Sequence, residues 1–120
     1  MLNKLANFAA ARVQRLYNLG ARHIWFSGLA PLGCIPSQRV LSDDGECLDD
    51  VNAYAMQFNA AAKNLIEGLN AKLPGARMFL SDCYSIVMEL IDHPQKHGNY
   101  NKQHARDAMA FPARSQQQQQ

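Results

Sequence analysis

The sequence predicts an α/β fold, and three observations carry that reading. Residues 21–27 (ARHIWFS) and 76–81 (ARMFLS) are short, rich in bulky apolar side chains and bounded by Gly20 and Gly28 or by Pro74-Gly75. Each reads as a strand buried on both faces. Between them, apolar residues recur at helical spacing from Val51 to Leu73. A helix linking two buried strands is a β-α-β unit, which requires parallel strands and a right-handed crossover.

The elements follow in order. Leu2, Leu5, Phe8, Ala9, Val13 and Leu16 share one face of a helix over residues 2–19, with Lys4, Arg12 and Arg15 off it. Gly20 stands where a left-handed cap ends that helix. After the first strand, residues 28–50 form a long connection punctuated by Pro31, Gly33, Pro36 and Gly45, and no long regular element is expected there. Loops of that length in compact domains are usually functional or mobile. Asp49 or Asp50 caps the next helix, where a carboxylate suits the positive N-terminus. Its stripe of Val51, Tyr54, Ala55, Phe58, Ala62, Leu65 and Leu69 runs to Leu73 and stops at Pro74-Gly75. Asp82 then caps a last helix over residues 84–91, which His93-Pro94 ends, because the residue before proline avoids helical angles.

From Asn99 the periodicity weakens, and residues 116–120 are all glutamine. The expected organisation is a partial domain over residues 1–98 and a divergent, disordered tail over 99–120. It is partial because two such strands need more covering layers than this chain supplies.

Composition limits the function classes. A chain of 120 residues supports one domain. Twelve Lys and Arg against 10 Asp and Glu give a net charge of +2, which argues against a nucleic-acid partner. No apolar run approaches the ~20 residues that a membrane-spanning helix requires. Up to Ser42 the ionic side chains are all basic (Lys4, Arg12, Arg15, Arg22, Arg39). That is the texture of a mitochondrial transit peptide, although an ordinary surface helix is the plainer reading. A secretory signal fits poorly, since Arg12 and Arg15 follow a short apolar run with no convincing cleavage site. The sequence leaves the compartment open.

Three cysteines do not make a disulfide scaffold. Cys34 and Cys47 flank a polar loop and close a short ring if the compartment is oxidising, worth ~2–3 kcal/mol in the chain-entropy picture. Cys83 reads as a small buried hydrophobe. No C-x-x-C and no Cys/His pair at zinc-finger spacing occurs.

Other chemistry is sparse. Ligands of open parallel sheets bind at the carboxyl ends of the strands, here Ser27-Gly28 and Ser81-Asp82. A set of Ser27 as nucleophile, Asp82 as orienter and His93 or His97 as base can be assembled on paper. Ser27 lacks a G-x-S-x-G elbow, however, and ten helical residues put His93 ~15 Å from Asp82. Backbone satisfaction by Ser27 and capping by Asp82 is the stronger reading. The stretch DDGECLDD (Asp43, Asp44, Glu46, Asp49, Asp50) offers oxygens for calcium but lacks the D-x-D-x-D-G loop and closing Glu of an EF-hand. It reads as a solvated turn. Neither nucleotide-binding glycine motif is present. Of the histidines His23, His93, His97 and His104, the 93/97 pair straddles Pro94, against a shared helical metal face. These readings commit to no catalytic, cofactor-binding or metal-binding residue and to no cofactor.

NLGARHIWFSGLAPLGCIPS (residues 18–37) resembles a stretch of the plant GDSL-type esterase/lipases of the SGNH hydrolase superfamily. There an LGAR, a buried strand and G-x-x-P-L-G-C-x-P follow one another. Residues 51–98, with their FN, LPGA and D-x-Y elements, resemble the family's next helix, strand and helix. The resemblance covers residues 1–98 and implies a three-layer α/β/α, flavodoxin-like fold and hydrolysis of carboxylic esters, whether of lipids, wall polymers or secondary metabolites. It also implies a secreted, glycosylated protein in which a Cys34–Cys47 disulfide is plausible. The family's activity rests on a Gly-Asp-Ser motif, an oxyanion Gly, a G-x-N-D motif and a D-x-x-H motif, none of which matches here. The chain is therefore expected to derive from a serine ester hydrolase but to be inert alone, because the oxyanion donors are missing along with the triad. The alternative is a non-catalytic interaction module, binding another chain or itself through apolar faces bared by absent strands. An esterase built on Ser27, Asp82 and His93 is the third reading.

Overall fold

The structure is a computed structural model that describes residues 2–98. The expected disorder of residues 99–120, the boundary before them and His104 lie outside the described residues. The first helix, α1 (Leu2–Asn18), ends as its sequence requires. Gly20 has φ 107°, its amide donates to Tyr17 O at 2.9 Å, and Ala21 N donates to Leu16 O at 3.0 Å. That pair of bonds is a Schellman cap, which needs the left-handed residue that glycine supplies without steric cost.

Strand β1 (His23–Ser27) follows, then a 3₁₀ turn (Leu32–Cys34), the single-turn helix α2 (Pro36–Arg39) and the long helix α3 (Asp49–Lys72). Strand β2 (Arg77–Ser81), helix α4 (Cys83–Asp92) and a 3₁₀ turn (Pro94–Lys96) complete the order. The strands pair in parallel with His23 opposite Arg77 and Ser27 opposite Ser81. This is the expected β-α-β unit, and the class is α/β.

Packing departs from expectation in three places. The strands are not buried on both faces. Ile24, Phe26, Met78 and Leu80 join Val13, Tyr17, Ile66 and Leu69 in the core under α1 and α3. Trp25 and Phe79 alternate with them, so they point to the opposite face. They are 71 % and 50 % exposed, with ring centroids 5.8 Å apart. Among the described residues α1 and α3 cover the inner face, and the aromatic pair on the outer face stays largely exposed where the resemblance implies a covering layer.

The buried face of α1 is also not the stripe of large residues. Leu5, Phe8 and Leu16 are exposed, whereas Ala6 and Val13 are buried. Ala6, Ala9, Ala10 and Val13 line a seam against Ala62, Leu65 and Ile66 of α3. Small side chains let the two helix backbones approach, and the larger ones are left outside. Arg12 covers part of the loss by laying its guanidinium 4.6 Å from the Phe8 ring centre.

The third departure is the start of α3. Leu48, not Asp49 or Asp50, is its cap residue, and no side chain bonds across the cap. Both carboxylates sit in the first turn, where the helix dipole still favours them. At the other end Gly75 (φ 74°) and Pro74 turn the chain into β2, and Tyr17 Oη donates to Pro74 O at 2.8 Å.

Candidate functional site

The carboxyl ends of both strands meet side by side, as the parallel register demands. Gly28 N donates to Ser81 O at 3.1 Å, continuing the ladder one residue past β1. The chain then leaves the sheet under control of Asn59 on α3, whose Oδ1 accepts from Leu29 N at 2.6 Å and whose Nδ2 donates to Leu29 O at 2.8 Å. A side chain at Gly28 would press on that amide, its Cβ falling 3.0 Å from Asn59 Oδ1.

Ser27 and Ser81 are brought together, as expected from the strand ends. The Ser81 hydroxyl lies 3.4 Å from Ser27 Oγ, and Ser81 Oγ is also 3.5 Å from Cys83 Sγ. Among the described residues no imidazole joins them. Asp82 is the α4 cap, its Oδ1 accepting from Ser85 N at 3.0 Å. A side-chain hydrogen bond with Ser85 is the largest cause holding the Asp82 carboxyl below its ordinary range; the Ser85 backbone amide adds to it, and the charge of Lys63 adds a smaller push in the same direction.

His93 and His97 gather at the opposite end of α4. His93 Nδ1 is 3.0 Å from Glu89 Oε2, His97 Nε2 is 3.5 Å from Glu89 Oε1, and Lys96 Nζ is 3.7 Å from the same oxygen. Desolvation works to raise the Glu89 pKa, but the charges of His93 and Lys96 and the imidazole hydrogen bonds outweigh it and lower the pKa. The improvised set of Ser27, Asp82 and His93 or His97 is therefore not assembled. Its aspartate is committed to a helix cap, and its histidines to a glutamate at the far end of a ten-residue helix.

Cys83, expected as a buried hydrophobe, is a half-buried free thiol at the first position of α4. Next to it Tyr84 has a raised pKa, chiefly through burial and secondarily through the charge of Asp49. An open groove of about 490 Å³ runs between α3 and the outer edge of β2. Lys63, Glu67 and Asp82 give its rim both signs of charge, and Met78 and Leu80 give it an apolar floor.

The long connection is pinned at both ends of its ring. Cys34 and Cys47 are disulfide-bonded, with Cα atoms 4.4 Å apart, and Leu48 N donates to Gly33 O at 2.9 Å. The buried Asn52 accepts from Gly33 N at 2.7 Å and sets its Nδ2 3.5 Å from Cys34 Sγ. Gly33 has no substitute here, since a Cβ would fall 2.1 Å from Leu48 O. Inside the ring, Asp44 accepts from the Ser42 hydroxyl and, at 3.0 Å, from Glu46 N. Those bonds, with the Ser42 hydroxyl the largest cause, lower its pKa. The acidic stretch is thus used in the turn and in the first turn of α3, and no cluster able to hold a metal ion occurs among the described residues.

Of three asparagines on α3, Asn52 and Asn70 were not singled out by the sequence reading, and Asn59 entered it only as part of the FN element. Each bonds backbone in another segment. Asn70 does so to Met78, with Nδ2 to O at 2.9 Å and Oδ1 to N at 2.8 Å. Spacings of seven and eleven residues put all three on one face of α3. That recurrence, within a stripe that otherwise buries apolar residues, was the available signal.

The fold and site define a piece of an open parallel α/β domain, with its strand-end serines placed and, among the described residues, no base beside them. Comparison with known proteins identifies the parent. A family model described as GDSL-like Lipase/Acylhydrolase matches residues 2–110, and the chain belongs to that family. Over 83 residues it is 48 % identical to the GDSL esterase/lipase At5g37690 of Arabidopsis thaliana, covering 69 % of this chain and 23 % of the relative. Over 89 residues it is 43 % identical to the Arabidopsis GDSL esterase/lipase At2g23540, covering 72 % and 23 %. Over 98 residues it is 38 % identical to At1g71250 of the same plant, covering 80 % and 26 %. The chain thus spans about a quarter of the length of these curated relatives. No solved structure matches it. No helix among the described residues is long and apolar enough to cross a membrane.

Proposed function

We propose that this chain carries scaffold and loop elements of a GDSL-type carboxylic ester hydrolase and does not hydrolyse esters by itself. The observation that supports this is the company Ser27 keeps. Its hydroxyl faces Ser81 at 3.4 Å, while both described histidines near the carboxyl end of α4 are held by Glu89. Nucleophilic catalysis by a serine needs an adjacent base to take the proton and donors to stabilise the oxyanion. Ser27 has a second hydroxyl instead, which neither takes up a proton near neutral pH nor stabilises a developing negative charge strongly.

The test is intact-mass analysis of the purified chain after exposure to a fluorophosphonate, which modifies activated serines, beside a heat-denatured control. No adduct is expected. A stoichiometric adduct at Ser27 that disappears on denaturation would overturn the reading and restore the third one.

A second reading has its own support. Trp25 and Phe79 expose a tilted aromatic pair on the open face of the sheet, and Leu5, Phe8 and Leu16 add apolar surface on α1. An exposed aromatic pair on an uncovered sheet face is the kind of surface that marks interaction sites or aggregation liability. A non-catalytic interaction module accounts for it. A defined monomer or oligomer in sedimentation supports the module, whereas polydisperse aggregate supports a bare fragment.

A further inference from the structure

Among the described residues, α1 packs through one side only. Ala6, Ala9, Ala10 and Val13 form its seam against α3. Outside that seam Leu5, Phe8 and Leu16 are 51 %, 60 % and 47 % exposed. Helical residues turn by about 100° each, so Lys4, Arg15, Phe8, Arg12, Leu5 and Leu16 fall in that order within an arc of about 120°. Three large apolar side chains and three cations therefore share one face.

The charge of this face has one sign. α1 contains no Asp or Glu, and among the described residues no carboxylate pairs with Lys4, Arg12 or Arg15. The cations also do not sit apart from the apolar residues. Arg12 lies between Phe8 and Leu5 around the arc, with its guanidinium over the Phe8 ring. The basic, acid-free texture that gives the N-terminal segment the look of a transit peptide is, in the structure, the outer face of a packed helix.

We infer that this face of α1 docks on an anionic lipid surface, with Leu5, Phe8 and Leu16 entering the headgroup boundary and Lys4, Arg12 and Arg15 meeting the acidic headgroups. Charge complementarity selects an anionic partner. The interleaving selects a lipid boundary over a protein groove, because a groove closing over Leu5 and Phe8 would desolvate the guanidinium between them. At a bilayer surface the long stems of Lys and Arg carry their charges up to headgroup level while the apolar side chains go deeper. The inference goes beyond the proposals above, since surface binding requires no serine chemistry. It also concerns the side of the sheet opposite to the Trp25–Phe79 pair.

The experiment floats the 120-residue chain with vesicles of pure phosphatidylcholine or of phosphatidylcholine mixed equally with phosphatidylserine. Binding is expected to the mixed vesicles, at least about tenfold weaker to the neutral ones, and falling as salt rises. The triple variant Lys4→Gln, Arg12→Gln, Arg15→Gln alters three exposed side chains. It should bind the mixed vesicles at least about tenfold more weakly, with an unchanged circular-dichroism spectrum. Undiminished binding by this variant, or equal binding of the parent to both vesicles, overturns the proposal.

A second variant reports depth. Phe8→Trp combined with Trp25→Phe leaves a single indole, on α1. Its emission should shift to the blue on the mixed vesicles and be quenched by bromine on the acyl chains, while Trp25 emission in the parent stays as it was. A blue shift of Trp25 with none at position 8 moves the contact to the sheet and overturns the assignment. Dimerisation of the parent that Phe8→Ser abolishes, without vesicle binding, gives the face to a second copy; it overturns the lipid proposal and leaves the interaction module standing. None of these outcomes bears on the fluorophosphonate test, which reads Ser27 alone.

Discussion

One face of the β1–β2 sheet sets Ile24, Phe26, Met78 and Leu80 under α1 and α3, whereas the other presents His23, Trp25, Ser27, Arg77 and Phe79 largely to solvent. The same two strands supply both faces, so strand propensity and local chemistry cannot account for the difference. What differs is the layer above. Hydrophobic side chains specify that a face should be covered, but only a second element within the chain, or another chain, can cover it. The inner face converts that specification into stability, and the outer face leaves it available for association.

Substitution on each face should separate the two roles. Met78→Ala removes a buried side chain of the core and is expected to destabilise the chain by about 2–4 kcal/mol. Trp25→Thr places a β-branched residue, which suits a strand, at an exposed position and should cost no more than about 0.5 kcal/mol while reducing self-association. Urea denaturation with sedimentation at matched concentration measures both. A Trp25→Thr loss comparable with that of Met78→Ala would mean that the outer face is already covered in solution.

Reducing the Cys34–Cys47 bond tests a region remote from either face. Loss of this closure, at a sequence separation of 13, is expected to cost about 3 kcal/mol. The denaturation midpoint should fall while the near-ultraviolet signal of the Trp25–Phe79 pair stays as it was. A change in that signal before global unfolding would show that loop and sheet are coupled.

The smallest effect belongs to the Asp82 cap. Its carboxyl has a pKa below the ordinary range when folded, so it contributes stability above the unfolded pKa of 3.8 and loses it as pH falls through the lower folded value. Asp82→Ala should cost about 1 kcal/mol at neutral pH and progressively less below about pH 4. Asp82→Asn keeps an acceptor and should flatten that part of the pH profile. Equal pH dependence in the parent and in Asp82→Asn would show that other carboxylates govern the acid limb.

Elements that depend on local chemistry were legible from the residues. Gly20 ended α1, Pro74-Gly75 ended α3, Asp82 capped α4 and His93-Pro94 closed it, each because one residue type dictates the backbone there. Family membership was legible from the run around PLGC-x-P, which the family model bears out. What failed was the identity of packed faces. Leu5, Phe8 and Leu16 outweigh Ala6 and Ala10 on any scale of residue size, yet the seam with α3 selects small side chains because it is set by backbone approach. Two-face burial of the strands failed for a different reason. Trp25 and Phe79 were read correctly as apolar, but their partners are not within the described residues.

The asparagines of α3 have a consequence for how this segment tolerates changes in length. Asn52, Asn59 and Asn70 hold three separate pieces of chain: the 3₁₀ turn at Gly33, the exit from β1 at Leu29 and the edge of β2 at Met78. Each successive helical residue turns by about 100°, so one residue inserted between any two of them swings the downstream grip to the helix flank. A full seven-residue insertion restores the direction but slides the grip along the axis by about 10 Å. Point substitutions along this helix can be absorbed one at a time, but gains and losses of residues between Asn52 and Asn70 cannot. The helix works as a ruler with three fixed marks, and its length is a more stringent inheritance than most of its side chains.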